Sequence, residues 1–295
     1  LTLKLSIPYT LGRGFELLTA QRKKFFAWYE ASVVDAPQDV ALFRSIFFRV
    51  FGEYPETYRE DFCGTFQHSV EWIKLNRRNR AWALDLDPRT LAYGIETHLS
   101  TLQPQQQSRI TLFQRDVRSI LKPKVDFATA LNFSYSLFKT RSELVSYFRK
   151  VYASLNSRGL FLLDVMGGSA LHEPSKDERR IPKTKKTPAL DYFWEQKTFD
   201  PISNHAKFAI HFRLKGKRKI YRNAFTYDWR LWSLPELQEI MREAGFAEAK
   251  IFWEGSSRNG QGNGIFRERV RGEACDVWLA YVVGVKGKSK GGASK

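Results

Sequence analysis

Apolar residues recur at two different periods along this chain. Over residues 15–51 they return every three or four positions, in "FELLTAQRKKFFAWYE" and "QDVALFRSIFFRVFG". That spacing predicts helices, with Gly52 as a C-cap where a left-handed residue is needed. From residue 58 the pattern shortens. "TYREDF" reads as a strand, "FQHSVEWIKL" as a helix, "RAWALDLD" as a strand and "PRTLAYGIETHLSTL" as a helix. "RITLFQRDV" and "VDFATALNFS" follow as strands, then helical "SELVSYFRKVYASL" and the strand "GLFLLDVMG". Strand and helix alternate to about residue 168, which predicts an α/β, doubly wound, mostly parallel Rossmann-like sheet behind N-terminal helices. "WALDL" and "LFLLDV" are nearly continuous apolar runs, as expected of strands covered on both faces.

After the fifth strand the rhythm breaks. "LDYFWEQKTFD", "HAKFAIHFRLK" and "KIYRNAFTYDWRLW" are successive strand-like runs joined by "DPISN" and "KGK". They predict an antiparallel insertion over 190–232, placed as a cap on the sheet. The alternation then resumes with helical "LPELQEIMREAGF", the strand "AEAKIFWEG" and a final strand in "CDVWLAYVVGVK". Between those strands "SSRNGQGNGIFRERVRGEA" reads as a Gly-rich hairpin loop. The expected organisation is a helical segment over 1–57, a core over 58–189 and 233–285, the cap, and a disordered basic tail over 286–295.

Composition narrows the class. The 295 residues are 43% hydrophobic and 15% aromatic, enough for a globular core. No apolar run approaches the ~20 residues of a membrane span. Cys63 and Cys275 are the only cysteines, too few for a disulfide framework or Cys-rich zinc ligation. A reducing compartment follows, hence the cytoplasm, or an organelle interior if a transit peptide precedes Leu1. The net charge of +17 is concentrated in "DERRIPKTKKTP", "RLKGKRKIYR" and "KGKSKGGASK". Such a field attracts anions. A nucleic-acid groove interleaves its cations with aromatics, and here only Tyr221 does so.

The chemistry concentrates in "YREDFCGTFQHS" (58–69), where a strand hands over to a helix. In doubly wound sheets the ligand sits outside the carboxyl ends of the strands. Gly64 precedes Asp85 of "LDLDP" by 21 residues, near the ~20 that separate a Rossmann turn from its ribose-binding acid. Asp116 ends the third strand, within reach of an adenine amino group. The G-x-G-x-x-G of a pyrophosphate site is absent, and Asp61 would repel a phosphate. An adenosyl ligand with a cationic end and no phosphate suits these residues, and S-adenosylmethionine (SAM) is such a molecule.

The order of "EDFCGT", "ALDLDP", "RDV", "NFSY" and "AGF" resembles the class I SAM-dependent methyltransferases. "REDFCGT", "LNFSYSLFKTRSELVSYF" and "YDWRLWSLPEL" are similar to a poorly characterised methyltransferase-domain branch, over roughly residues 25 to 285. "EDFCGT" departs from the common acidic-x-G-x-G turn, with Phe62 in place of the first glycine. The resemblance implies that Asp61, Cys63 and Gly64 take the methionine end, Asp85 the ribose, Leu86 or Asp87 the adenine face, and Asp116 and Val117 the adenine edge. Asn132, Phe133 and Ser134 would contact cofactor and substrate, and Tyr29 would close the site. No metal is implied.

Cys63, with Asp61 beside it and no histidine partner, reads as a wall of the site rather than a nucleophile. His68 reads as structural. The candidates for the acceptor pocket are Tyr135, Tyr192, Trp194, His211, Tyr227, Trp229 and Arg230. Tyr227, Trp229 and Arg230 are expected to face the methyl group, with Arg230 holding an acceptor carboxylate or phosphate. His172 is the candidate base, and Tyr135 joins Arg230 and His172 as a catalytic candidate. The expected reaction is in-line methyl transfer to a small, possibly anionic acceptor. A nucleic-acid methyltransferase or binder is the first alternative, weakened because "LNFSY" stands where an N-P-P-Y-like tetrapeptide would. A non-catalytic SAM-binding protein is the second.

Overall fold

Thr19 and Asp35 each open a helix with a side-chain oxygen that accepts a backbone N–H three residues on, from Arg22 at 3.2 Å and Gln38 at 3.3 Å. The helices are α1 (Ala20–Val33) and α2 (Ala36–Phe51), and Gly52 closes the second at φ 75°. The computed structural model describes residues 18–257 and 262–289.

The strand–helix alternation yields β1 (Thr57–Asp61), α3 (Gln67–Leu75), β2 (Arg80–Asp85), α4 (Pro88–Thr97), α5 (Pro104–Gln107), β3 (Ile110–Gln114), β4 (Val125–Ala130), α6 (Arg141–Ser154) and β5 (Leu155–Gly167). A second sheet follows, built from β6 (Ser175–Ile181), β7 (Leu190–Asp200), β8 (His205–Leu214) and β9 (Ile220–Arg230). The chain then rejoins the first sheet through α7 (Leu234–Glu243), β10 (Glu248–Ser256), β11 (Gly262–Glu268) and β12 (Trp278–Lys286). The eight-stranded order is β11-β10-β12-β5-β4-β1-β2-β3. Strands β1 to β5 pair in parallel, and β12 runs antiparallel between β5 and β10. Strand order reverses beside β1, between β2 and β4, which opens a crevice at their carboxyl ends.

Both faces of this sheet are covered. Phe43 and Phe47 of α2, Trp72 of α3 and Leu91 of α4 join one apolar cluster. Tyr147 and Phe148 of α6 join another with Ile240 and Met241 of α7. Trp72 is fully buried and stacks on Phe127 with ring centroids 6.3 Å apart. Its truncation to alanine should cost about 3–5 kcal/mol. Helix α1 bridges the two sheets: Trp28 meets Phe212 at 5.5 Å and Tyr221 at 5.3 Å of the second, and Phe26 meets Tyr93 of α4 at 5.3 Å.

Three boundaries differ from the sequence reading. The antiparallel sheet begins at β6, in the charged stretch that the sequence assigned to the core segment, and not at residue 190. Six of the seven residues of β6 are exposed because it is an edge strand, and charge on an edge hides its apolar signal. The Gly-rich segment expected as a loop contains β11, which pairs antiparallel with β10. Lys286, assigned to the tail, ends β12 and donates to the carbonyls of Tyr152 and Leu155 at 2.7 and 2.9 Å. The rest of the expected basic tail, from residue 290, lies outside the described residues.

Candidate functional site

The turn after β1 contains three left-handed residues, Phe62, Gly64 and Phe66, at φ 54°, 52° and 50°. They reverse the chain within five residues and aim its amides across the sheet end. Cys63 donates its N–H to the Leu84 carbonyl at 2.9 Å, and Gly64 donates to Asp85 Oδ2 at 2.8 Å. The other oxygen of Asp85 accepts the Asp87 N–H at 2.8 Å. Asp85 thus stitches the loops after β1 and β2 together. Burial raises its carboxyl above the usual range, opposed by these backbone donors. Leu86 beside it is 63% exposed, a flat apolar surface at the sheet end.

The strand-end acids divide into different tasks. Asp61 is buried, and its oxygens are taken by Arg59 Nε at 2.7 Å and the Tyr147 hydroxyl at 2.8 Å. The expected attraction of a cofactor cation to Asp61 is therefore corrected: this carboxylate is committed inside the protein. Arg59, also buried, reaches on to the carbonyls of Val117 and Ser119, so the pair pins the loop after β3 to β1. Asp87 caps α4 and pairs with Arg89 at 2.9 Å. Asp116 accepts from the Arg118 backbone and guanidinium, and those bonds hold its carboxyl below the usual range. Cys63 is buried, and burial with the neighbouring acids Asp85, Glu60 and Asp61 pushes its thiol well up, which removes a thiolate reading.

Beyond β4 the backbone is left-handed twice in succession, at Asn132 (φ 54°) and Phe133 (φ 56°). Asn132 donates its N–H to Asp164 Oδ2 at 2.8 Å and Phe133 donates to Asp164 Oδ1 at 2.9 Å. Ser134 closes the turn by donating its hydroxyl to the Leu131 carbonyl at 2.8 Å. This turn forms one side of a cavity of about 920 Å³ between the sheet end and the cap. Tyr29 of α1 and Tyr192, Trp194, Tyr227 and Trp229 of the cap line it, with Asp39, His68 and Asp164 from the core. The rings of Tyr227 and Trp229 lie 4.4 Å apart, and Phe133 meets Trp229 edge-on at 5.9 Å.

The three catalytic candidates are not among the residues lining this cavity. His172 sits on an exposed 3-10 turn with its ring against Phe199 at 5.1 Å. Tyr135 is buried in the apolar cluster of the α6 face. Arg230 reaches Glu236 at 3.2 Å and the Lys139 carbonyl at 3.1 Å, with its guanidinium over Trp232 at 3.8 Å. Its charge is drawn toward the start of α7, so the anionic-acceptor expectation loses its carrier. His211 is likewise spent within the cap, between Glu195 at 2.7 Å and the Asn223 N–H at 2.7 Å.

None of the seven acids lining the cavity among the described residues was a site candidate in the sequence, Asp164 and Asp39 included. Asp164 breaks the apolar run "LFLLDV", and an acid in a strand buried on both faces was the available signal. Asp39 lies in α2 with an ordinary helical surface pattern, and no sequence signal marks it. It joins a buried chain in which His68 lies 3.0 Å from Asp39 and 3.1 Å from Glu60. Burial opposes the charge of His68, but hydrogen bonds to both acids prevail and raise it to about 10. Ser69 supplies Glu60 with two further donors, its backbone N–H at 2.9 Å and its hydroxyl at 2.5 Å.

The sequence matches no family profile and no curated protein. The fold matches many solved structures. A SAM-dependent methyltransferase from Clostridium acetobutylicum is 16% identical with a TM-score of 0.60, over 90% of this chain and 98% of the other. CalS10, an amino pentose methyltransferase from Micromonospora echinaspora solved with SAM bound, is 12% identical with a TM-score of 0.62, over 94% and 100%. The sugar N-methyltransferase KedS8 from a Streptoalloteichus species is 14% identical with a TM-score of 0.59, over 96% and 99%. The fold is that of the class I SAM-dependent methyltransferases.

Proposed function

We propose that this chain is a SAM-dependent methyltransferase whose acceptor is an amine of a small molecule seated in the cavity under the cap. The observation that carries this reading is the lining of that cavity. Among the described residues its lining includes seven acids, Asp39, Asp164 and Glu254 from the core among them, and only Arg179 and His68 as bases. This stands in a chain of net charge +17. Acidic walls next to aromatic faces favour an alkylammonium, which gains from both the carboxylate charge and the ring quadrupoles. The same lining repels carboxylate and phosphate groups, which speaks against an anionic acceptor and against nucleic acid. The acceptors in the names of CalS10 and KedS8, an amino pentose and a sugar nitrogen, agree with an amine.

The residues at the sheet end fit an adenosyl cofactor. A Cβ built at Gly64 would meet nothing within 4 Å, so the left-handed turn leaves room for a ligand to approach its backbone. Asp85 would take the ribose hydroxyls, with Leu86 under the adenine, the loop of Asp116 and Val117 at its edge, and the Asn132–Ser134 turn at the methionine end. Asp85 uses two of its roughly four lone-pair directions internally and keeps acceptor capacity for a hydroxyl. When bound, SAM supplies a sulfonium methyl group open to in-line attack.

The chain's own contribution is position and dryness. Tyr29, Tyr227 and Trp229 hold the acceptor and exclude water, which narrows the attack geometry and strengthens every charge interaction inside. The carboxylates draw in an ammonium, which must give its proton to solvent before the site closes; the neutral amine then attacks, so transfer should accelerate as pH rises toward the amine's own pKa.

The experiment is transfer of labelled methyl from SAM to matched panels of amino sugars, diamines, hydroxy sugars, carboxylates and phosphate esters. Label in the amine panels supports the reading. Label confined to carboxylates or phosphates would reject the amine.

A further inference from the structure

We propose that Asp164 is a positioning residue of the transfer site: its carboxylate holds the Asn132–Phe133 turn in its left-handed shape and, through the Phe133 ring, ties that turn to Trp229 of the cap. The inference rests on the methyltransferase reading for its purpose, and on geometry for its existence. Left-handed asparagine is common, but left-handed phenylalanine is not, and two such residues in a row need an outside partner. Asp164 is that partner. Its two oxygens accept the two N–H groups at 2.8 and 2.9 Å, and a charged acceptor makes the stronger kind of hydrogen bond. The turn has a second link in Phe133, whose ring meets Trp229 edge-on at 5.9 Å. Strand β5, the turn after β4 and strand β9 are thus joined at the cavity by one side chain and one ring.

The clamp should respond to pH near neutrality. Burial pushes the Asp164 carboxyl up to about 7, against the pull of the Phe133 and Asn132 amides. A protonated carboxyl loses acceptor strength at both bonds. The groups facing it come from every surrounding element. Asp39 of α2 lies 3.0 Å from His68 of α3, which is positive. Glu254 of β10 lies further along the wall and accepts the Gly264 N–H at 2.8 Å. The hydroxyls of Tyr29 on α1, Tyr135 beside the turn, Tyr227 on β9 and Tyr281 on β12 are all pushed up by burial and stay neutral. His68, raised to about 10, keeps its proton through pH 6 to 8, whereas Asp164 changes charge in that interval.

The test is amide hydrogen exchange of the segment holding Asn132 and Phe133, corrected for the chemical exchange rate, in wild type and Asp164→Asn at pH 6 and 8. Wild type should lose about tenfold of its protection between pH 8 and pH 6, following the ionised fraction of a group titrating near 7. Asp164→Asn should be unprotected at both, with altered Trp229 emission. Equal protection in wild type at the two pH values overturns the proposal, and so does full protection in the variant. Should the variant fail to fold, the wild-type series decides alone. SAM titrations on the same samples separate the two claims. Affinity that falls with the protection supports a positioning role. Exchange as expected in a protein that binds no SAM upholds the clamp, but removes the methyltransferase reading and with it the positioning role.

Discussion

Arg230 Nη2 lies 3.2 Å from Glu236 Oε1, so the cation at the end of β9 is bound to the first turn of α7 rather than presented to the cavity. Its neighbour Trp229 does the reverse: it lines the cavity and is almost fully buried. Replacing Arg230 with alanine should therefore leave the KM for an acceptor amine within about twofold, at a stability cost of about 1 kcal/mol or less, as for a partly exposed pair. Replacing Trp229 with alanine should raise KM and cost about 3–5 kcal/mol. Steady-state kinetics beside urea melts separate these outcomes, and a KM raised mainly by the arginine change would restore an anionic contact.

The Glu60–His68–Asp39 chain gives a stability prediction with a defined sign. His68 is raised from 6.5 to about 10, so its contribution is full below pH 6.5 and is lost as pH climbs through 10. His68→Gln should destabilise the fold by about 3–5 kcal/mol at pH 6, because two acids are left without their cation. Urea melts at pH 6, 8 and 10 should show the gap to wild type closing at the alkaline end. A gap independent of pH would mean that His68 is not charged.

Much of this could be seen in the sequence, and the failures have physical causes. The left-handed Gly52 and Gly64 and the strand-end positions of Asp61 and Asp85 were legible because strand ends and left-handed turns admit few residue types. The apolar runs of β2 and β5 were legible as strands covered on both faces, and both are buried along those runs. Strand β6 was missed because an exposed edge carries charge in place of alternation. The role of Arg230 was misread because proximity in sequence to the cap says nothing about which acid a long side chain reaches. Asp61 shows the same limit. It sits at the expected strand end, but the preceding Arg59 and the distant Tyr147 consume it.

Cysteine reactivity checks the packing of the turn after β1. Burial pushes the Cys63 thiol well above its usual range, and Asp85, Glu60 and Asp61 push the same way, whereas Cys275 is exposed. A thiol reagent at pH 7.5 should modify one cysteine of the native protein quickly, and the second only after unfolding. Rapid reaction of Cys63 in the native state would contradict a closed turn.

The claim on which the rest depends is that adenosyl cofactor binds where Asp85 joins the loops after β1 and β2. Isothermal titration of SAM and S-adenosylhomocysteine into wild type and Asp85→Ala measures it. One site should appear in wild type, and the variant should bind both ligands more weakly by about 1–3 kcal/mol, roughly 5- to 150-fold, as for loss of a buried acceptor. Absence of binding to wild type, or unchanged affinity in a folded Asp85→Ala protein, would contradict the account.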